Sequence, residues 1–153
     1  MSQSLCQIYL HLVFSTKGRL PFLQPADLRG ELHRYLGGVC RNHDSPSIRI
    51  GGVEDHVHLL LRLSKSISIA DLTRELKRDS SKWIKDRFND PYLQEFHWQA
   101  GYGAFSISPS HVELVSQYIR DQEEHHREES FQDEFQRMCH KYGVAIDERY
   151  VWD

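Results

Sequence analysis

The stretch "SIRIGGVEDHVHLLLRL", Ser47 to Leu63, decides how the rest of the chain is read. "SIRIGGV" and "HVHLLLRL" read as two strands joined by the short link "EDHV", an antiparallel hairpin. The second arm places His56 and His58 one residue apart at the head of an apolar run. Strand side chains alternate faces, so both imidazoles point to one side with Cβ atoms about 7 Å apart. Two imidazoles at that spacing can share one divalent cation. They can equally sit half-exposed at a strand end, bonded to water or backbone. Glu54 and Asp55 adjoin the pair and are placed to orient an imidazole from behind. Leu60, next on the same face, is apolar, so a further element covers that face and could bring a third ligand.

Working outward, "QIYLHLVFST" alternates as a first strand, closed by the turn-like "TKGR". Leu28, Leu32, Tyr35, Leu36 and Val39 carry a helical spacing between Pro25 and Asn42. After the hairpin, Ser68 caps a second helix in which Ile69, Leu72, Leu76 and Trp83 share an arc, ended by "NDP". "FHWQAGYGAFSIS" reads as one strand, or two, broken at Gly101 and Gly103. Ser108 or Ser110 starts a helix through Val112, Val115 and Ile119 towards His126, and Phe131 to Tyr142 is a last amphipathic segment. The order β-α-β-β-α-β-α-α is the split βαβ pattern: an α+β, ferredoxin-like antiparallel sheet with added C-terminal helices. The expected organisation is a single domain over 1–153, with 127–153 as a helical tail.

The chain of 153 residues, 39% hydrophobic and 27% charged, has an ordinary globular composition. No apolar run approaches the roughly 20 residues of a membrane span. The N-terminus lacks a basic start, and its apolar stretch alternates with polar residues, which argues against a signal peptide. Cys6, Cys40 and Cys139 are an odd set without CxxC spacing, so reduced thiols and a cytoplasmic location are expected. Net charge is −3, unlike most non-specific nucleic-acid binders. Its distribution is uneven: Arg74 to Arg87 holds six Lys/Arg against three acids, and Asp121 to Glu134 holds seven acids against one Arg.

In "SPSHVELVSQYIRDQEEHH", residues His111, Leu114, Tyr118, Gln122 and His125 fall along one helical face. A phenol beside an amide oxygen able to reach a cation is a plausible nucleophile arrangement; a tyrosine on such a helix is more often a core or rim residue. "EEHH" reads more readily as a solvated helix end than as a metal site.

"DHVHLLL", "HWQAGYGAFSIS" and "YIRDQEEHH", in this order and spacing, resemble the single-tyrosine transposases of the insertion sequence 200/605 group, whose H-x-H strand defines the wider HUH class. The resemblance runs from "IYLHLVFSTKGR" to "EEHH"; the tail beyond His126 carries little of it. It implies that His56 and His58 bind a divalent cation, Mg²⁺ or Mn²⁺, with Gln122 as third ligand, and that Tyr118 is the nucleophile. It also implies cleavage of single-stranded DNA at element ends through a 5′-phosphotyrosine, recognition of DNA hairpins, and a homodimer. Tyr142, beside His140, is the alternative nucleophile. A related group acting on palindromic repeats and an inactive nucleic-acid-binding copy are the competing functional readings.

For DNA, Arg74, Lys77, Arg78, Lys82 and Lys85 lie opposite the apolar arc of the second helix, and Lys17 and Arg19 follow the first strand. Together they form a candidate phosphate-tracking stripe or an ordinary solvated face. Trp98, Tyr102 and Phe105 are candidates for stacking on unpaired bases, or for the core.

Overall fold

The computed structural model describes residues 2–153. Strand β3 (His56–Leu63) is buried from His56 through Leu61, because both of its faces are covered. It pairs antiparallel with β2 (Ser47–Val53) on one side and with β1 (Ile8–Ser15) on the other. Strand β4 (Gly103–Ile107) adds to the outer side of β1, giving the order β2-β3-β1-β4 with antiparallel neighbours throughout. Helices α1 (Ala26–Asn42) and α2 (Ile69–Arg87) are the two crossovers, so the core is the expected ferredoxin-like α+β sandwich. The sequence placed the hairpin arms correctly, and only Glu54 and Asp55 lie between them.

Alternation sorts the two faces. Leu10, Leu12, Phe14, Val57, Leu59 and Leu61 point to one side and meet Leu28, Leu32 and Leu36 of α1 and Leu72, Leu76 and Ile84 of α2. Tyr35 stacks on Trp83 across the two helices at 5.0 Å. Each such side chain, wholly removed from water, contributes about 1.5–3 kcal/mol. The second helix starts where expected, with the Ser68 hydroxyl oxygen accepting the Asp71 N–H at 3.0 Å.

The opposite face carries His11, Val13, His56, His58 and Leu60, and the C-terminal helices close it. Helix α3 (Val112–Arg120) brings Ile119 onto Leu60 and Ile107. Helix α5 (Phe131–Lys141) brings Phe131, Phe135 and Met138 onto Val13 and Phe105. Two glycines allow these approaches. A Cβ on Gly51 would lie 2.5 Å from the Ile119 carbonyl oxygen, and one on Gly103 would enter the Phe135 ring. The expected break at Gly101 and Gly103 therefore has a packing reason: β4 begins at Gly103, where α5 crosses it.

The helix expected to run from Ser108 or Ser110 towards His126 is interrupted. A 3-10 turn spans Pro109–His111, α3 stops at Arg120, and Asp121 leaves the helical region before the short α4 (Gln122–His125). Among the described residues no helix is long and apolar enough to cross a membrane.

Candidate active site

The covered histidine face holds one converging polar cluster. His56, His58 and Glu134 are each completely buried, and the His126 side chain is 7% exposed. Three imidazole Nε2 atoms approach a single oxygen, Glu134 Oε1: His58 at 2.9 Å, His126 at 3.1 Å and His56 at 3.3 Å. The other carboxylate oxygen, Oε2, accepts from Gln122 Nε2 at 3.0 Å and from the Tyr118 hydroxyl. Gln122 Oε1 lies 3.0 Å from His56 Nε2. Tyr118 is thus one carboxylate away from both strand histidines, within the same chain.

Each ring has a partner behind it. Asp55 Oδ1 is 2.7 Å from His56 Nδ1, the orienting arrangement common behind metal-binding imidazoles. His58 Nδ1 meets His11 Nε2 at 2.8 Å. His126 Nδ1 donates to the Glu129 carbonyl. Its Nε2 lies 3.1 Å from Glu134 Oε1 without making a hydrogen bond, which leaves it an orphaned buried nitrogen.

The electrostatics follow from that packing. Burial works against a charged His56, but its hydrogen bonds to the Asp55 and Glu134 carboxylates win and raise its pKa to about 9. Burial lowers His11 to about 3 and lowers His58 as well. Glu134 is held far below the ordinary carboxylate range: burial alone would raise it, and the close approach of the His58, His126 and His56 imidazoles outweighs burial. Its place at the start of α5 adds the positive end of a helix dipole. Burial and the Glu134 charge push the Tyr118 hydroxyl above its usual value, while Arg137, whose Nη2 is 2.9 Å away, works the other way.

Ligand atoms of His56, His58, His126 and Glu134 all lie within 4.8 Å of one another. Three imidazoles and a carboxylate, with one imidazole nitrogen unpartnered, fit a divalent cation and are able to hold one.

Of the residues picked from sequence, His56, His58, Tyr118 and Gln122 meet here. Glu134, His126 and His11 were missed. "EEHH" is no solvated end at its second histidine: His126 turns inward, and the His125 ring stacks on Tyr118 at 4.5 Å. A signal for Glu134 existed, because it shares the apolar stripe of Phe131, Phe135 and Met138, where an acid is out of place. Tyr142 has its ring on Phe105 at 4.7 Å, away from the cluster.

The basic residues go elsewhere. Helix α2 lies on the opposite face of the sheet from the histidines. Arg74 pairs with Asp71 at 3.0 Å, Arg78 with Glu75 and Asp79, and Lys82 with Asp86 at 2.7 Å. Lys77 is structural: its ammonium donates to the carbonyls of Gln99, Ala100 and Gly101, and burial lowers it to about 8. Lys85 is half-buried and Lys17 exposed. Arg19 donates to the Trp152 carbonyl at 2.8 Å. Trp98 and Phe105 are core residues, and Tyr102 is exposed.

Fold and site together define a ferredoxin-like α+β protein with a cation-ready cluster of histidines and one acid beside a tyrosine. Residues 4–122 match the family model described as "Transposase IS200 like", and the chain belongs to that family. Among solved structures, a candidate transposase from Deinococcus radiodurans R1 is similar with a TM-score of 0.62 at 23% identity, covering 80% of this chain and 98% of that one. A REP-associated tyrosine transposase bound to a REP hairpin is similar with a TM-score of 0.57 at 14% identity, covering 82% of this chain and 74% of that one. At such identities the two structures show the shared fold. No curated protein matches the sequence. Family membership supports transposase activity.

Proposed function

We propose that this chain is a metal-dependent, cytoplasmic DNA transposase that cuts and rejoins single-stranded ends of an insertion sequence through a 5′-phosphotyrosine, with Tyr118 as nucleophile. The observation that carries the reading is the Tyr118 hydroxyl bonded to the carboxylate on which His56 and His58 converge.

Tyr118 Oη attacks the phosphorus, the bond to the 3′ oxygen breaks, and the phosphate stays on the tyrosine. Glu134 Oε2 accepts the hydroxyl in a hydrogen bond and so orients Oη. Because that carboxylate is held strongly anionic and the phenol is raised, the proton passes to water rather than to Glu134, and water returns one to the leaving 3′ oxygen. The phosphotyrosine conserves the energy of the broken bond, so a 3′-OH can attack it later without ATP. His56, His58 and Gln122 Oε1, joined by His126 and Glu134, would hold Mg²⁺ or Mn²⁺. Such an ion, when bound, would supply charge neutralisation at the non-bridging phosphate oxygens.

The similar REP-associated enzyme was solved with a hairpin, which supports a folded single strand as the substrate here too. Lys17, Arg74, Arg78, Lys82 and Lys85 would then meet the hairpin stem on the far side of the sheet. The family resemblance implies a homodimer, although one chain already brings its own tyrosine to its own histidines.

The test mixes protein, Mg²⁺ or Mn²⁺, and single-stranded oligonucleotides covering the DNA on either side of its gene, followed by denaturing electrophoresis. A covalent protein–DNA band is expected with the parent and is lost in Tyr118→Phe. A band that survives in Tyr118→Phe would move the nucleophile elsewhere.

A further inference from the structure

Beside Tyr118, β4, α3 and α5 line a cavity of about 550 Å³. That lies within the range of small-ligand sites, roughly 300–1,000 Å³. Its walls divide by chemistry. Ile107, Leu114, Val115, Met138 and the Tyr142 ring supply apolar surface, and Leu114 and Tyr142 remain 63% and 36% exposed. Arg137 and Lys141, one helical turn apart on α5, supply two cations at the rim. No Asp or Glu lines it among the described residues, although the chain is net acidic and Asp121 to Glu134 holds seven acids.

Arg137 links this cavity to the chemistry. Its guanidinium donates to Tyr118 Oη at 2.9 Å and pairs outward with Glu129 at 2.8 Å. Lys141 is exposed and has no ion-pair partner among the described residues; its ammonium sits over the Tyr142 ring, 5.6 Å from the centre. One Tyr142 face is taken by Phe105 at 4.7 Å, and the ring also borders the cavity. The His11 ring lies at the floor, bonded to His58.

We infer that this cavity is a nucleotide subsite: it takes the base adjoining the scissile phosphate against Tyr142 and the apolar wall, with a backbone phosphate at Arg137 and Lys141. The inference rests on Tyr118 being the nucleophile of the proposed function, because that hydroxyl marks where the phosphorus must lie. The occupant must be anionic next to an unpaired, flat apolar group. A single-stranded nucleotide carries both, whereas a duplex buries its bases in the stack. Tyr142, an alternative nucleophile by sequence, is thereby a stacking platform.

Binding is measured separately from cutting. In the Tyr118→Phe protein, anisotropy of a fluorescein-labelled oligodeoxythymidylate is read for added Lys141→Ala, Tyr142→Ala and Tyr142→Phe. Tyr142→Ala is expected to weaken binding roughly 5- to 100-fold, the usual worth of one stacked base, and Tyr142→Phe to leave it within twofold. Lys141→Ala is expected to flatten the salt dependence by about one released counterion. An oligonucleotide carrying abasic sites should erase the Tyr142→Ala effect. Unchanged affinity and salt slope in both alanine variants, with melting temperatures equal to the parent, would overturn the subsite. Because this binding needs no chemistry, absence of the covalent band in the parent protein would count against the proposed function and leave the subsite standing.

Discussion

Replacing Glu134 by alanine removes the hub on which five side chains meet. In the absence of metal, His56, His58 and His126 lose the anion that their Nε2 atoms face at 2.9–3.3 Å, and Gln122 and Tyr118 lose their acceptor. The carboxylate and both strand histidines have no exposed surface, so water cannot substitute without a rearrangement. Breaking a buried ion pair by removing one partner costs about 3–5 kcal/mol. At about 2–4 °C per kcal/mol for a chain of this size, Glu134→Ala should melt roughly 6–20 °C below the parent in EDTA. The assay is thermal unfolding followed by circular dichroism at neutral pH. Repeating it in Mn²⁺ separates two roles: the parent should gain stability as the ion binds the folded state, and Glu134→Ala should gain much less. A variant melting within 2 °C of the parent in EDTA would refute the reasoning, because the carboxylate would then not be what holds the imidazoles.

Two further outcomes follow from the same geometry. In EDTA, stability should peak near pH 6.5. The raised His56 contributes stability that is complete below the unfolded value of 6.5 and is lost as pH rises through about 9, a span worth roughly 3 kcal/mol. The lowered His11 acts on the other side, because the unfolded chain binds its proton first as pH falls from 6.5 towards about 3; urea titrations showing a flat profile between pH 6.5 and 9 would contradict the His56 assignment. Gly51→Ala should push α3 off the sheet, since the new Cβ meets the Ile119 carbonyl and Cγ2 at 2.5 and 2.9 Å. It should cost about 1–3 kcal/mol and reduce covalent adduct formation beyond what the melting shift explains, and a full adduct rate would show that the tyrosine helix tolerates the displacement.

Most of the fold was legible because its signals are local. The hairpin, the Ser68 cap and the period of the first two helices are short-range patterns, and their order leaves few topologies. The H-x-H pair and the Tyr118–Gln122 spacing were legible for the same reason. Glu134 was harder: it is one of seven acids between Asp121 and Glu134, and its place on the stripe of Phe131, Phe135 and Met138 is the one local mark that sets it apart from them. His126 was hidden by the break at Asp121, which redirects the chain in a way that helical periodicity does not foresee. The basic stripe illustrates the reverse problem, since a helical projection shows which charges share a face but not which side of the sheet that face takes. Lys77, read as a DNA contact, instead ties three carbonyls of the segment leading into β4.

Glu134 lies twelve residues past Gln122, where the segment shared with the family ends. Anyone trimming this protein to its recognisable core for crystallisation or for a genome-editing fusion would cut away the acid that three imidazoles surround, together with the arginine that touches the tyrosine. Such a minimal version would keep His56, His58, Tyr118 and Gln122 and lose Glu134, His126 and Arg137, the side chains that close around them.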